Sequence, residues 1–213
     1  MKRPLILIGG GGHCKSVIEV AESAGYAIRG ILDIPENVGH IVLSVHQIIG
    51  TDDDIPQYVD DCDFVITVGF IKNPVLRIKL YNKVKKIGGK LATIVAPTAY
   101  VSKYATIGEG TVVMHNAFVN AGAKIGDNCI INTFVNIEHD AEVGDQCHIS
   151  TGTMINGECK VGERCFIGSQ SVCANCIEIG PDIIVGAGSV VRKSISIKGI
   201  YAGNPAILKI KTK

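Results

Sequence analysis

From Val95 onward, every sixth residue is an aliphatic or its stand-in. The series runs Val95, Val101, Ile107, Val113, Val119, Ile125, Ile131, Ile137, Val143, Ile149, Ile155, Val161, Ile167, Cys173, Ile179, Val185, Val191 and Ile197. Cys173 alone is neither Ile nor Val, and no gap or insertion breaks the register. Four residues after each aliphatic the side chain is mostly small, as at Ala99, Ala117, Cys129, Cys147 and Thr153. Gly follows the aliphatic at Gly108, Gly126, Gly144, Gly162, Gly168, Gly180 and Gly186. Such a unit reads as one short strand and a turn. The aliphatic points into a narrow core, the small residue fills a corner, and Gly or Asn takes the turn backbone. One unit cannot bury its apolar face alone, so the units must stack. With no Trp and 5% aromatic residues, the core is filled by small and β-branched side chains.

The repeat also accounts for most of the eight cysteines. Cys129, Cys147, Cys159 and Cys165 sit at the small inward position and Cys173 at an aliphatic one, which predicts buried, reduced thiols acting as small apolar residues. Cys173 and Cys176 lack a second pair to complete a metal site. The 21 basic and 20 acidic residues give a net charge of +1 without a basic run, so neither nucleic acid nor an anionic membrane is an expected partner. No apolar stretch is long enough to span a bilayer, and the default is a cytoplasmic protein.

Residues 1–94 lack the period and alternate strand with helix. Leu5–Ile8 reads as a strand, Gly9 to His13 as a turn, and Ser16–Ala24 as a helix. Ile28–Leu32 reads as a strand, Phe64–Val68 as another, Asn73–Ile87 as a helix and Leu91–Ile94 as strand. That order predicts a small parallel sheet. Ligands of such sheets lie off the carboxyl ends of the strands, here Gly9 to His13, Asp33 and Gly69. A Gly-rich turn before a helix lets backbone N–H groups approach phosphate. The dinucleotide fingerprint fails at Cys14, so one nucleotide, with or without a sugar, fits better than a nicotinamide cofactor.

Two features together narrow the reading. One is the Gly9-Gly10-Gly11-Gly12-His13 turn on a short α/β domain. The other is Asn132-Thr133, Ile137-Glu138-His139-Asp140 and Cys147-His148-Ile149-Ser150 inside the repeat. This combination resembles the bacterial sugar acyltransferases of the NeuD/PglD type, which include sialic acid O-acetyltransferases and nucleotide-aminosugar N-acetyltransferases. The resemblance covers nearly the whole chain. It implies a short Rossmann-like α/β domain over residues 1–94 that binds a nucleotide sugar. It also implies a left-handed β-helix over residues 95–213, with three hexapeptides to each triangular coil, which transfers acetyl from acetyl-CoA as co-substrate and holds no metal. His139 matches the family's general base and Asp140 its acidic partner. His148 matches a contact to the acetyl group. Asn132, Gly157, Ser169 and Ala187 match acetyl-CoA contacts, and Gly11, Gly12, His13, Asp33 and Gly69 match the nucleotide-sugar pocket.

The physical reading agrees. An amine attacking a thioester must lose a proton, and imidazole is the side chain poised for that near neutral pH. A carboxylate beside it favours the imidazolium that forms. Donors from His148 or backbone N–H groups would stabilise an oxyanion. His139 and Gly157 lie 18 residues apart, one coil. His139 and His148 lie nine apart, half a coil, and should point in different directions. A site using both is easier to build between subunits, which together with the family resemblance predicts a homotrimer. His115, His40 and His46 receive no role, the last two as surface residues of a loop-like segment. N-acetylation of a nucleotide-linked amino sugar leads, and O-acetylation of sialic acid or another glycan precursor is the alternative. A non-catalytic β-helix scaffold and a metal-dependent β-helix enzyme are the remaining classes.

Overall fold

A computed structural model describes residues 2–211, so Met1, Thr212 and Lys213, at the ends of the two expected spans, lie outside it. The N-terminal elements are β1 (Leu5–Ile8), α1 (Gly12–Ser23), β2 (Ile28–Leu32), β3 (Ile41–Val42), β4 (His46–Gly50), β5 (Asp63–Ile66) and α2 (Val75–Lys86). They form a sheet of order β3-β4-β2-β1-β5, parallel except for the β3–β4 hairpin. Leu5, Leu7, Val17, Ile18, Ala21 and Ile31 pack in its core.

Two expectations are corrected. Helix α1 starts at Gly12 rather than Ser16: Gly11 is its N-cap, and Cys14, wholly buried, is drawn into the first turn. The segment around His46 is not a surface loop. Leu43 and Ser44 adopt φ of 50° and 60°, a turn that folds β3 back on β4. His46 opens β4, with its side chain 12% exposed and its Nε2 2.9 Å from Glu22 Oε1.

From Ile94–Val95 to Val190–Val191 the chain lays down a two-residue strand every six residues. Strands eighteen residues apart pair in parallel, as in Val119↔Ile137 and Ile131↔Ile149. The second residue of each pair points inward, and Val119, Ile131, Ile137 and Ile149 are fully buried. The result is a triangular β-helix with six-, five- and eight-stranded walls, the last extended by Gly199–Ala202 and Ile207–Lys211. The six-residue register ends earlier than expected. Ile179 bridges Ile195, and Ile197 is 55% exposed. Two residues drop out of the last corner, where Ser194 Oγ accepts a bond from the Glu178 amide.

The glycines after the aliphatics do not supply turn geometry. The left-handed corner position, two residues further on, is held by Gly or Asn at Gly110, Asn116, Gly122, Asn128, Gly152 and Gly188, as expected, but also by larger residues such as Phe134 (φ 58°), Gln146 (φ 59°) and Arg164 (φ 58°). The glycines after the aliphatics are required because coils stack closely: a Cβ on Gly144 would lie 2.7 Å from the Glu163 amide nitrogen one coil on. The inward cysteines are also more than small apolar fillers. Cys129, Cys147 and Cys165 form a ladder in which each thiol donates to a carbonyl, of Gly144, Gly162 and Gly180, at 3.1 Å. The amides of Cys147 and Cys165 donate to the sulfur one coil earlier, at 3.4 Å. The small position thus satisfies corner backbone groups that would otherwise be buried unpaired.

Each outer wall carries a different column. On the eight-stranded wall, Val112, Ile130, His148 and Phe166 are buried. Val112 shares the core cluster of the N-terminal domain with Leu7 and Val17. On the five-stranded wall Lys124, Glu142, Lys160 and Glu178 alternate in charge. On the six-stranded wall Tyr100, Phe118, Asn136, Met154, Val172 and Val190 form a largely apolar column. Helix α2 ties the halves together through one stripe. Arg77 Nε donates to the Asn128 carbonyl at 3.2 Å, Tyr81 Oη to Asp127 Oδ2 at 3.1 Å and Lys85 Nζ to Glu109 Oε2 at 2.5 Å.

Candidate active site

The carboxyl ends of β1, β2 and β5 open on a pocket of about 770 Å³. Gly11, Gly12, His13, Asp33, Gly69 and His148 all line it. The Gly10 amide donates to Asp33 Oδ2 at 2.9 Å, and Asn37 Nδ2 donates to the same oxygen at 3.1 Å, so the carboxylate is held at the rim. Thr67 Oγ1 donates to the Gly9 carbonyl and closes the opposite side of the turn. A Cβ on Gly11 or Gly12 would meet nothing within 4 Å, and neither has a positive φ. The protein itself does not require glycine there. A bare backbone at the start of α1 leaves its N–H groups open to an anion.

His148 rises from the eight-stranded wall into the base of this pocket. Its Nδ1 lies 2.7 Å from the Phe70 carbonyl. A carbonyl only accepts, so Nδ1 carries the proton. Its Nε2 lies 3.4 Å from Asn132 Nδ2, whose amide is oriented by the Thr133 N–H on Oδ1 at 2.8 Å. Phe70 and Phe166 pack edge-on against the ring at 5.8 and 5.1 Å, and the His13 ring lies 6.4 Å away. Burial pushes the His148 imidazolium down to about 4, against the Phe70 hydrogen bond, with the Arg77 charge adding to the fall. Burial, then Arg77, then His148 push His13 to about 3. The neutral His148 ring has its single N–H engaged on Phe70. It therefore has no donor left for an oxyanion, and that expected role is corrected.

Both histidines titrate lower in the fold than in the unfolded chain, where His protonates near pH 6.5. As pH falls below that value, the unfolded chain binds protons that the folded one refuses, so stability is lost. Unfolding in urea should show a loss of about 1–2 kcal/mol per histidine between roughly pH 7 and 5. A double variant, His13→Gln with His148→Gln, should flatten that dependence.

His139 stands elsewhere, at the corner that follows the six-stranded wall. Its Nδ1 lies 3.1 Å from Asp140 Oδ2, and both side chains are more than half exposed. The carboxylate accepts, so Nδ1–H is the donor and Nε2 keeps its lone pair. Asp140 adopts φ 58° at the left-handed corner position, which turns its carboxylate back onto the preceding ring. One coil on, a Cβ on Gly157 would sit 2.7 Å from His139 Nε2. The glycine is what leaves that nitrogen clear. Glu138, which has no assigned role in the sequence reading, accepts from Asn120 at 2.8 Å and Asn136 at 3.0 Å, and these bonds hold its carboxyl below the usual range. The spacing of eighteen between Asn120 and Glu138 is the signal that links them.

Asn132, Ser169 and Ala187 lie along a third line, the corner between the eight- and six-stranded walls. Ser169 Oγ is 2.9 Å from Ser150 Oγ, and Ala187 is exposed. Within one chain, then, His139, Asp140 and Gly157 form one group. His148, Asn132 and the glycine-rich pocket form another. The six-stranded wall separates the His139 corner from the corner of Asn132, Ser169 and Ala187. Thr67 and Phe70 also line the pocket, Phe166 packs on the His148 ring and Arg77 donates to the Val68 carbonyl; none of these had a sequence signal beyond Phe70 following Gly69. Among the described residues no group of three or more His, Cys, Asp or Glu could hold a metal ion. No described helix is long and apolar enough to cross a membrane.

Known proteins share this arrangement. Residues 4–84 match the PglD N-terminal domain, residues 104–139, 122–157 and 140–175 the bacterial transferase hexapeptide repeat, and residues 159–193 the hexapeptide repeat of succinyl-transferase. Comparison with curated proteins gives no match. The acetyltransferase domain of PglB from Neisseria gonorrhoeae, solved with acetyl coenzyme A, superposes with a TM-score of 0.90 at 31% identity, covering 98% of this chain and 100% of that one. PerB from Caulobacter crescentus, solved with CoA and GDP-perosamine, gives 0.89 at 34% identity over 97% of each chain. WeeI from Acinetobacter baumannii shares the fold at 21% identity, with a TM-score of 0.76. The β-helix is thus the left-handed one of the hexapeptide-repeat acetyltransferases, and the chain belongs to the NeuD/PglD type of these sugar-modifying enzymes.

Proposed function

We propose that this enzyme moves the acetyl group of acetyl-CoA to the amino group of a nucleotide-linked amino sugar, with His139 as general base. The carrying observation is the bare Nε2 of His139, fixed by Asp140 through Nδ1 and left clear by Gly157. Nε2 takes the proton as the amine nitrogen bonds to the thioester carbon. The C–S bond then breaks, and the leaving CoA sulfur takes the proton back from the His139 imidazolium, which restores the base. Asp140 holds the tautomer and stabilises the imidazolium formed. Backbone N–H groups at the corners of Gly157 and Ala187 are the donors for the carbonyl oxygen. PerB, with GDP-perosamine and CoA, supports an amino-sugar acceptor, and it was also solved with a histidine replaced by asparagine or alanine.

Residues 1–94 bind the nucleotide sugar in this reading, through the Gly11–His13 turn, Asp33 and Gly69. Residues 95–213 carry acetyl transfer. Subunits join through the apolar six-stranded wall, on which Phe118 stacks on Tyr100 at 5.0 Å and Met154 is 43% exposed. Closing that wall around a threefold axis sets the His139 corner of one subunit against the Asn132, Ser169 and Ala187 corner of the next. A homotrimer with three shared sites follows.

A panel of nucleotide amino sugars with acetyl-CoA and a thiol-release reagent tests the acceptor. Acetylation of a hydroxyl sugar alone, or of none, removes the proposal. Gly157→Ala is expected to cut kcat about 10²-fold, because a ring displaced by about an ångström loses its attack geometry. Its backbone φ suits alanine, so the unfolding midpoint should hold or rise.

A further inference from the structure

Helix α2 buries a charge that no carboxylate answers. Arg77 is 1% exposed, and none of the ion pairs among the described residues includes it. Its Nη1 donates to the carbonyls of Ile66 at 2.5 Å and Val68 at 3.0 Å, and its Nε to that of Asn128. Its Nη2 is buried with no partner. Burying an uncompensated cation is costly, and an apolar side chain of similar length would fill the space without that cost. Packing alone does not account for arginine here.

The three carbonyls do. They belong to the end of β5, the segment beyond it and the first corners of the β-helix. A planar fork can hold all three in one geometry, which a lysine cannot. The clamped segment runs on through Gly69, where an added Cβ would lie 3.6 Å from His13 Cγ, to Phe70, whose carbonyl accepts the hydrogen bond from His148 Nδ1. We propose that Arg77 is a positioning residue: by clamping the Val68–Phe70 backbone it fixes the His148 ring, so that Nε2 of His148, which Asn132 Nδ2 meets only at 3.4 Å, is presented as an acceptor to an O–H or N–H of the bound sugar in place of that long contact. This rests on the reading of the glycine-rich pocket as the acceptor site. Electrostatics act in the same sense. The titratable and charged groups facing His148 are His13 from α1 and Arg77 from α2, and a nearby cation disfavours imidazolium on both rings.

The test uses the full chain with isotope-labelled histidine and needs no substrate for its first readout. In the wild type the His148 signal should show a protonated Nδ1 and a bare Nε2, with titration below about pH 5. In Arg77→Met the ring should exchange between tautomers and titrate at a higher pH than in the wild type. The KM for the acceptor nucleotide sugar should rise about tenfold, with the acetyl-CoA KM within about twofold. Arg77→Lys keeps the charge and loses the fork. Its His148 titration should stay low while the acceptor KM rises about threefold or more.

A folded Arg77→Met with wild-type His148 spectra and acceptor KM overturns the proposal. If Arg77→Met does not fold, Arg77→Lys decides alone, and an unchanged acceptor KM overturns it. If the wild type acetylates no nucleotide sugar, the functional reading fails, while the histidine spectra still judge Arg77.

Discussion

His139→Ala is expected to lower kcat for acetyl transfer by about 10²- to 10⁴-fold while leaving the thermal midpoint unmoved. The first part follows from the tautomer. Asp140 holds the proton on Nδ1, so Nε2 is the one ring nitrogen able to take a proton from the attacking amine. Nothing else at that corner offers an equivalent base, because Glu138 is occupied by Asn120 and Asn136. The second part follows from exposure. His139 is more than half exposed and its one side-chain partner, Asp140, is more exposed still, so little buried contact disappears with the ring. Steady-state rates with a thiol-release reagent, beside a melting curve, are the measurement. Normal turnover in a folded variant removes His139 as base. A collapse in melting temperature of the size seen for core truncations would mean that the ring supports the coil instead.

Phe118→Glu is the second large effect. The ring sits mid-column on the six-stranded wall and stacks on Tyr100. A carboxylate buried there against a neighbouring subunit has no cation from its own column to meet. Leaving an unpaired charge in an interface costs several kcal/mol, on the order of 3–5. For the proposed trimer, sedimentation should show monomers of the variant beside trimers of the wild type, and activity should fall more than about 100-fold because the two corners proposed to form the site would be held apart. The folded chain should persist, since Phe118 is partly exposed and Val119, its inward neighbour, keeps the core. A monomeric Phe118→Glu with wild-type kcat would show that one chain holds a complete site.

The division between the two histidines shows why part of the site was legible and part was not. The eighteen-residue coil follows directly from a six-residue period, so Gly157 over His139 is arithmetic along the chain. The same arithmetic separates His139 from His148 by half a coil. It says nothing about what lies outside His148, because the answer comes from residues more than seventy positions away, at Phe70. Of the two oxyanion donors the sequence offers, a His148 N–H or backbone N–H groups, the first is therefore ruled out by its engaged Nδ1–H.

Local chemistry written into the chain determined the β-helix, its core aliphatics, the small corner column and the parallel sheet with its glycine turn. Each depends on neighbours at fixed spacing, and fixed spacing is visible in one dimension. Tertiary structure alone decided which wall the N-terminal domain covers, the end of the register after Val191, the hydrogen-bonded state of the thiols and the buried clamp of Arg77. Those depend on surfaces that meet across the fold. A charge, a carbonyl and an imidazole far apart in sequence are coupled by distance in space, and no periodicity records that.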